Sequence, residues 1–292
     1  MTESPAEPLS ALLTILDLEQ IEVNIFRGVS PDETVQRVFG GQVAGQAMVA
    51  AGRTVPPERQ VHSLHAYFLR PGDPTIPIIY EVDLIRDGRS FTTRRVVAVQ
   101  HGKPIFHLSA SFQVEEPGVD HYLPMPDAPD PETVPTLAER ATALGLPKSP
   151  HWDRPRPVEL RYVNDPPWLP NGDTADRHTQ QVWLKASGAM PDDPLMHVCA
   201  VTYASDFTLL DSALLAGGLT WDDDRDVMVA SLDHAMWFHR PFRADDWLLY
   251  DQSSPSASGA RGLAIGRLFT RDGRHVVSMV QEGLLRVVGK KK

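Results

Sequence analysis

The chain has 292 residues, 42% hydrophobic and 23% charged, a globular balance that supports a buried core and a prior of about two domains. A formal net charge of −10 lacks the basic footprint of a sequence-independent nucleic-acid binder, although a few local arginines suffice to hold a phosphorylated ligand. No apolar run approaches the roughly 18 residues of a membrane span, and the single cysteine, Cys199, excludes an internal disulfide and a CxxC site.

The opening segment, MTESPAEPLSALLTILDLEQ, begins with acid and proline instead of a basic region and makes a poor signal peptide, so a cytoplasmic location, or an organelle matrix, is expected. Residues 39–52 (FGGQVAGQAMVAAG) are mostly small or apolar on every face and predict a buried helix whose glycines and alanines let a sheet approach. Residues 78–86, 91–100 and 104–114 are β-branched or aromatic runs separated by turns at Asp87-Gly88 and His101-Gly102-Lys103. Ten prolines then crowd residues 117–157, which predicts an extended linker with one short helix at Thr136–Ala143. Cys199 reads as a small buried apolar residue. A second helix is expected over 207–216 (FTLLDSALLA), with Ser205-Asp206 in its N-cap position. Strands follow at 246–252, 260–270 and 275–287, with a turn at Arg271-Asp272-Gly273.

The two halves echo each other. Phe68 and Phe238, Pro71 and Pro241, and Tyr80 and Tyr250 are each separated by 170 residues, and Gly102 matches Gly273 with nearly the same shift. That period is too long for a solenoid and reads as two similar domains in one chain. The expected division is 1–116, a proline-rich linker at 117–157, and 158–289. Each domain is an antiparallel sheet wrapped around one buried helix, an α+β architecture.

Residues 38–54 (VFGGQVAGQAMVAAGRT), 61–73 (VHSLHAYFLRPGD), 103–113, 231–250 (SLDHAMWFHRPFRADDWLLY) and 280–286 (VQEGLLR) resemble the acyl-CoA thioesterase II family. The likeness spans nearly all the chain outside the proline-rich middle. It implies a double hotdog that hydrolyses medium- to long-chain acyl-CoA without a metal or organic cofactor and assembles as a homodimer or homotetramer. It also implies a catalytic set in the second domain: Asp206 of Ser205-Asp206-Phe207, Ser231 two residues before Asp233-His234, and Gln281 of the closing VQEG. Ser231 stands where many members carry Thr; the donor and acceptor are kept and a positioning methyl is lost.

These residue types suit the chemistry. A CoA thiol, with a pKa of about 8.5, leaves readily as thiolate, so the demanding tasks are placing a water and stabilising an oxyanion. A carboxylate, a hydroxyl and an amide converging on one water would orient it and accept its proton. At a helix N-terminus Asp206 would be held ionised and be a weak base, and N–H groups there, or at Gly40 and Gly41, would form an oxyanion hole. Arg70, Arg94, Arg95, Arg240 and Arg261 are candidates for the CoA phosphates. His62, His65, His234 and His239 have no HExxH spacing and read as structural imidazoles, so no metal is expected. No GxSxG, GxGxxG or Walker pattern is present. Two other readings stay open: an acyl-CoA sensor without catalysis, and an enoyl-CoA hydratase on the same fold, which the lack of a histidine after Asp206 disfavours.

Overall fold

The computed structural model describes residues 6–31, 37–149, 152, 154–170, 172–174, 177–220 and 225–290. Helix α1 (Ala6–Leu16) leads into strands β1 (Glu19–Glu22) and β2 (Ile25–Gly28), then helix α2 (Gly40–Gly52) and strands β3 (Arg59–Phe68), β4 (Ile78–Asp87), β5 (Phe91–Gln100) and β6 (Lys103–Val114). After a 3₁₀ turn at Pro131–Thr133 and helix α3 (Leu137–Ala143) come β7 (Val158–Tyr162), β8 (Thr179–Ala186), helix α4 (Pro194–Ser205), helix α5 (Asp211–Ala216), and β9 (Arg225–Ser231). Strands β10 (Asp233–Phe238), β11 (Leu248–Ser258), β12 (Arg261–Thr270) and β13 (His275–Lys290) complete the chain. No described helix is long and apolar enough to cross a membrane.

The strands form one antiparallel sheet in the order β1-β2-β4-β5-β6-β3-β10-β13-β12-β11-β8-β7, with β9 on β13. The two halves therefore join edge to edge, β3 pairing β10 from Ser63↔Trp237 to Tyr67↔Asp233. Left-handed backbone at His101 and Gly102 makes the tight β5–β6 turn, where the glycine carries no Cβ penalty.

The buried helix of the second half is α4, not 207–216. Pro194 starts it with a preset φ, the Asp193 carboxylate caps it by accepting from the Leu195 N–H, and its Val198, Cys199, Ala200 and Val201 are all buried. Residues 207–210 are turns, and only Asp211–Ala216 continue as a short helix. Asp206 is accordingly the C-cap of α4, opposite in polarity to the N-cap expected from its neighbours. Burial raises the Cys199 thiol far above its ordinary range.

Helices α2 and α4 lie back to back and antiparallel. A Cβ on Gly41 would sit 2.2 Å from the Tyr203 carbonyl oxygen, one on Gly45 would sit 3.3 Å from the Cys199 carbonyl oxygen, and one on Gly52 would meet Leu195. The missing side chains thus set the helix separation. Tyr80 and Tyr250, one repeat apart, each fasten a helix: Tyr80 donates to Gln46 Oε1 at 2.7 Å and Tyr250 to the Ser205 carbonyl at 3.0 Å.

The proline-rich segment is a strap across the outer face of the second half. Trp183 Nε1 donates to the Pro129 carbonyl, Trp247 Nε1 to Glu132 and Arg161 to the Val134 carbonyl, over an apolar patch of Val134, Trp183, Trp247, Leu249 and Phe269. Helix α3 carries a reciprocal capping box between Thr136 and Glu139.

Candidate active site

Strands β9 and β10 are one ribbon broken at Leu232. There the Leu232 N–H donates to the Glu282 carbonyl, and the Asp233 carboxylate accepts the Glu282 N–H at 2.7 Å. Ser231 and His234 are three apart and would face opposite sides of a regular strand. The break turns both toward Gln281 of β13, which sits 2.7 Å from Ser231 Oγ and 3.1 Å from His234 Nδ1.

Asp206 closes the group. Its Oδ1 accepts from Ser231 Oγ at 3.0 Å and from Gln281 Nε2 at 2.8 Å, and its carboxylate also takes the Gly41 N–H. A Cβ on Gly40 would lie 2.5 Å from Asp206 Oδ2, so the backbone of the α2 N-terminus lies against the acid. The positive helix end expected at Asp206 exists, but it belongs to the first half. Burial pushes the Asp206 carboxyl above the ordinary carboxylate range, outweighing His234, Gln281, Ser231 and the Gly41 N–H, which pull it down. The expectation of a weak base is therefore corrected. Burial also keeps His234 below the usual imidazole range, against the Asp206 charge. Phe39 stacks on Phe207 at 4.9 Å, and Tyr203 meets both rings edge-on, giving the acid an aromatic flank.

The other expected residues fall out differently. Gly41 spends its N–H on the carboxylate, so it holds the acid instead of an oxyanion. Arg94 is no phosphate ligand: it is 2% exposed, and its guanidinium donates to Thr54, to the Arg86 carbonyl and to Asp87. Arg95 pairs with Asp83. Arg240 pins the strap, bonding Asp120, the His121 carbonyl and the His275 carbonyl while lying over the Tyr122 ring. Arg70 donates to the Pro104 carbonyl and Arg261 to Glu282 Oε1, both from exposed positions. His62 bonds Ser111, His239 bonds Ser278 and His65 packs on Trp237. His234, read as a structural imidazole, lies with its ring against Gln281 and so borders the Asp206 group. Surface hollows of 740 Å³ beside Glu132–Leu144 and 680 Å³ beside His62 and His239 do not include the acid.

The sheet register shows what stands in the matching place of the first half. Ala264 faces Gln281 on β12–β13, whereas Arg94 faces Ala110 on β5–β6. The α2 C-cap is Arg53 where α4 has Asp206. Acid and amide are replaced by a cation and a methyl, and the Arg94 guanidinium lies against Thr54 at the end of α2. The described residues thus present this constellation once per chain.

A family profile described as acyl-CoA thioesterase matches residues 155–284, and one described as the acyl-CoA thioesterase N-terminal domain matches 29–113. The chain is 41% identical to acyl-coenzyme A thioesterase 8 of Homo sapiens, over 98% of this chain and 92% of that protein. It is 48% identical to the crystal structure of an acyl-CoA thioesterase II from Mycobacterium marinum, covering 94% of this chain and 98% of that one with a TM-score of 0.77. The chain belongs to the acyl-CoA thioesterase II family. A hot dog fold protein of unknown function from Alicyclobacillus acidocaldarius, at 19% identity and a TM-score of 0.75 over 95% of this chain, shares the fold alone. Thioesterase II architecture here is therefore a double hotdog, with α2 and α4 as its two central helices.

Proposed function

We propose that this acyl-CoA thioester hydrolase uses Asp206, Ser231 and Gln281 to activate a water against medium- to long-chain acyl-CoA. Membership of the family makes the chain a hydrolase of acyl-CoA; the residues and the acyl range are the proposed part. The observation that carries the assignment is the convergence of Ser231 Oγ and Gln281 Nε2 on Asp206 Oδ1. In this reading the water hydrogen-bonds to the carboxylate and attacks the thioester carbonyl carbon as Asp206 takes its proton. The tetrahedral intermediate collapses, the C–S bond breaks, and CoA leaves as thiolate, which takes up the proton that Asp206 accepted from the water and so regenerates the carboxylate. A carboxyl raised by burial is a better base than an exposed aspartate, while Ser231 and Gln281 keep it oriented. The backbone at Gly40, against Asp206 Oδ2, supplies the oxyanion N–H, and exposed Arg70 and Arg261 serve the CoA phosphates. The chain is further proposed to divide at 1–116, 117–157 and 158–289, to work without a cofactor, to assemble as a homodimer or homotetramer, and to act in the cytoplasm or an organelle matrix.

The test is release of free thiol from an acyl-CoA panel. Asp206→Asn is expected to lower kcat by at least about a hundredfold, the scale of lost general-base help. The wild-type kcat should rise with pH through a midpoint above the ordinary aspartate value of about 3.9, because only the ionised carboxyl accepts a proton and burial raises it. Undiminished turnover by Asp206→Asn would remove the acid from the mechanism, and tight acyl-CoA binding without thiol release would favour a sensor.

A further inference from the structure

Behind Gln281 the polar contacts continue into the protein. His234 is 2% exposed and faces Gln281 Oε1 through Nδ1 at 3.1 Å and Ser205 Oγ through Nε2 at 2.9 Å. Ser205 Oγ also lies 2.9 Å from the Thr202 carbonyl and 3.7 Å from Met236 Sδ, so its single hydrogen has three acceptors to choose from, of which the sulfur is the weakest. These contacts have one consistent proton arrangement once Asp206 is ionised and His234, whose charged form burial disfavours, is neutral. A carboxylate only accepts, so the Gln281 NH₂ faces it and Ser231, and Gln281 Oε1 is turned toward His234. A carbonyl oxygen also only accepts, so His234 Nδ1 carries the proton. Neutral imidazole then has a bare Nε2, which accepts the Ser205 hydroxyl.

We propose that His234 is a positioning residue for hydrolysis: held by Ser205 as its Nδ1–H tautomer, it locks the Gln281 carboxamide with the NH₂ toward Asp206 and Ser231. This inference rests on the catalytic reading of Asp206, Ser231 and Gln281 given above. A ring protonated on Nε2 would set an Nδ1 lone pair against Gln281 Oε1. The amide would then rotate and face its oxygen to the carboxylate, two acceptors in apposition, and the acid would lose its orientation. In the first half Leu64 holds the register position matching His234 and Ala110 that of Gln281, so both members of this pair are absent there.

The two conservative replacements separate the ring nitrogens. Asparagine places an amide N–H near the position of Nδ1, and glutamine places one near Nε2. His234→Asn is expected to retain at least about a third of the wild-type kcat, and His234→Gln to lose roughly tenfold to a hundredfold in kcat with KM within about twofold. Thermal unfolding of both variants should shift alike, so a purely structural role predicts equal losses. Long-range ¹H–¹⁵N spectra of the wild-type protein at neutral pH should show the His234 proton on Nδ1, a measurement independent of either variant folding. Equal kcat for the two variants, or a proton on Nε2, would overturn the proposal. Asp206→Asn run beside them keeps the two failures apart: if it is inactive while His234→Gln is unimpaired, only the role of His234 fails, and if it is active the catalytic reading itself fails.

Discussion

At the residue scale, two acids among the described residues of the second half have a burial that costs stability, and only one of them meets the amide and hydroxyl. Asp211, in the first turn of α5, is 9% exposed with an unpartnered Oδ2, and burial pushes it up to about 7 despite a hydrogen bond from Trp168. A carboxyl whose folded pKa lies above its unfolded one binds a proton that the unfolded chain releases. Its contribution is therefore favourable below pH 4 and is lost as pH rises from about 4 to about 7, with a plateau above. Asp211→Asn should accordingly stabilise the protein at pH 8 by up to about 4 kcal/mol, given about 1.4 kcal/mol for each tenfold change in proton affinity, and by almost nothing at pH 4. Denaturant unfolding at the two pH values checks this. The cause is desolvation of the charged carboxyl. Nothing local marked Asp211 as buried, since an acid in a helix's first turn ordinarily faces water.

At the element scale the decisive feature is the close approach of α2 to α4. Their antiparallel packing brings the positive N-terminus of α2 to the end of α4 where Asp206 caps it, so the first half supplies the Gly41 N–H that holds the second half's acid. The glycine at 41 is required by space, since any side chain there collides with the Tyr203 carbonyl, which has no rotamer to give way. Gly41→Ala should cost about 1–3 kcal/mol or more, the usual range for overpacking. Thiol release should fall with it, because relief of the clash moves the helix end from the acid; thermal unfolding and turnover measured together test both effects. The 39–52 helix was legible because it is mostly small or apolar on every face. Its partner was not, because 194–205 follows a Pro-Asp-Asp-Pro stretch that looks like loop and FTLLDSALLA offers a more regular apolar pattern nearby.

At the scale of the whole molecule, one sheet running through both halves and two central helices make the site a joint product. All three expected catalytic residues lie in the second half, yet residues 155–292 expressed alone lose the Gly41 N–H, the Phe39 ring and the β3 edge that pairs with β10. Neither that piece nor residues 1–150 should release thiol alone, and mixing them should restore turnover; activity from the second piece by itself would contradict the joint site. What the sequence by itself determined is the duplication, visible in FLRP and FHRP at one spacing, the meander of strands, and, through family motifs, the choice of Asp206, Ser231 and Gln281 as the candidates that the fold brings together. Each of these is local: a turn, a period of two, or a contiguous string of residues. The tertiary structure alone decided which helix end faces Asp206, that burial outweighs the hydrogen bonds holding it ionised, that Arg94 is sealed inside, and that His234 stands behind Gln281. Those depend on desolvation and on how a strand breaks at Leu232, and both arise only when distant segments close over one another.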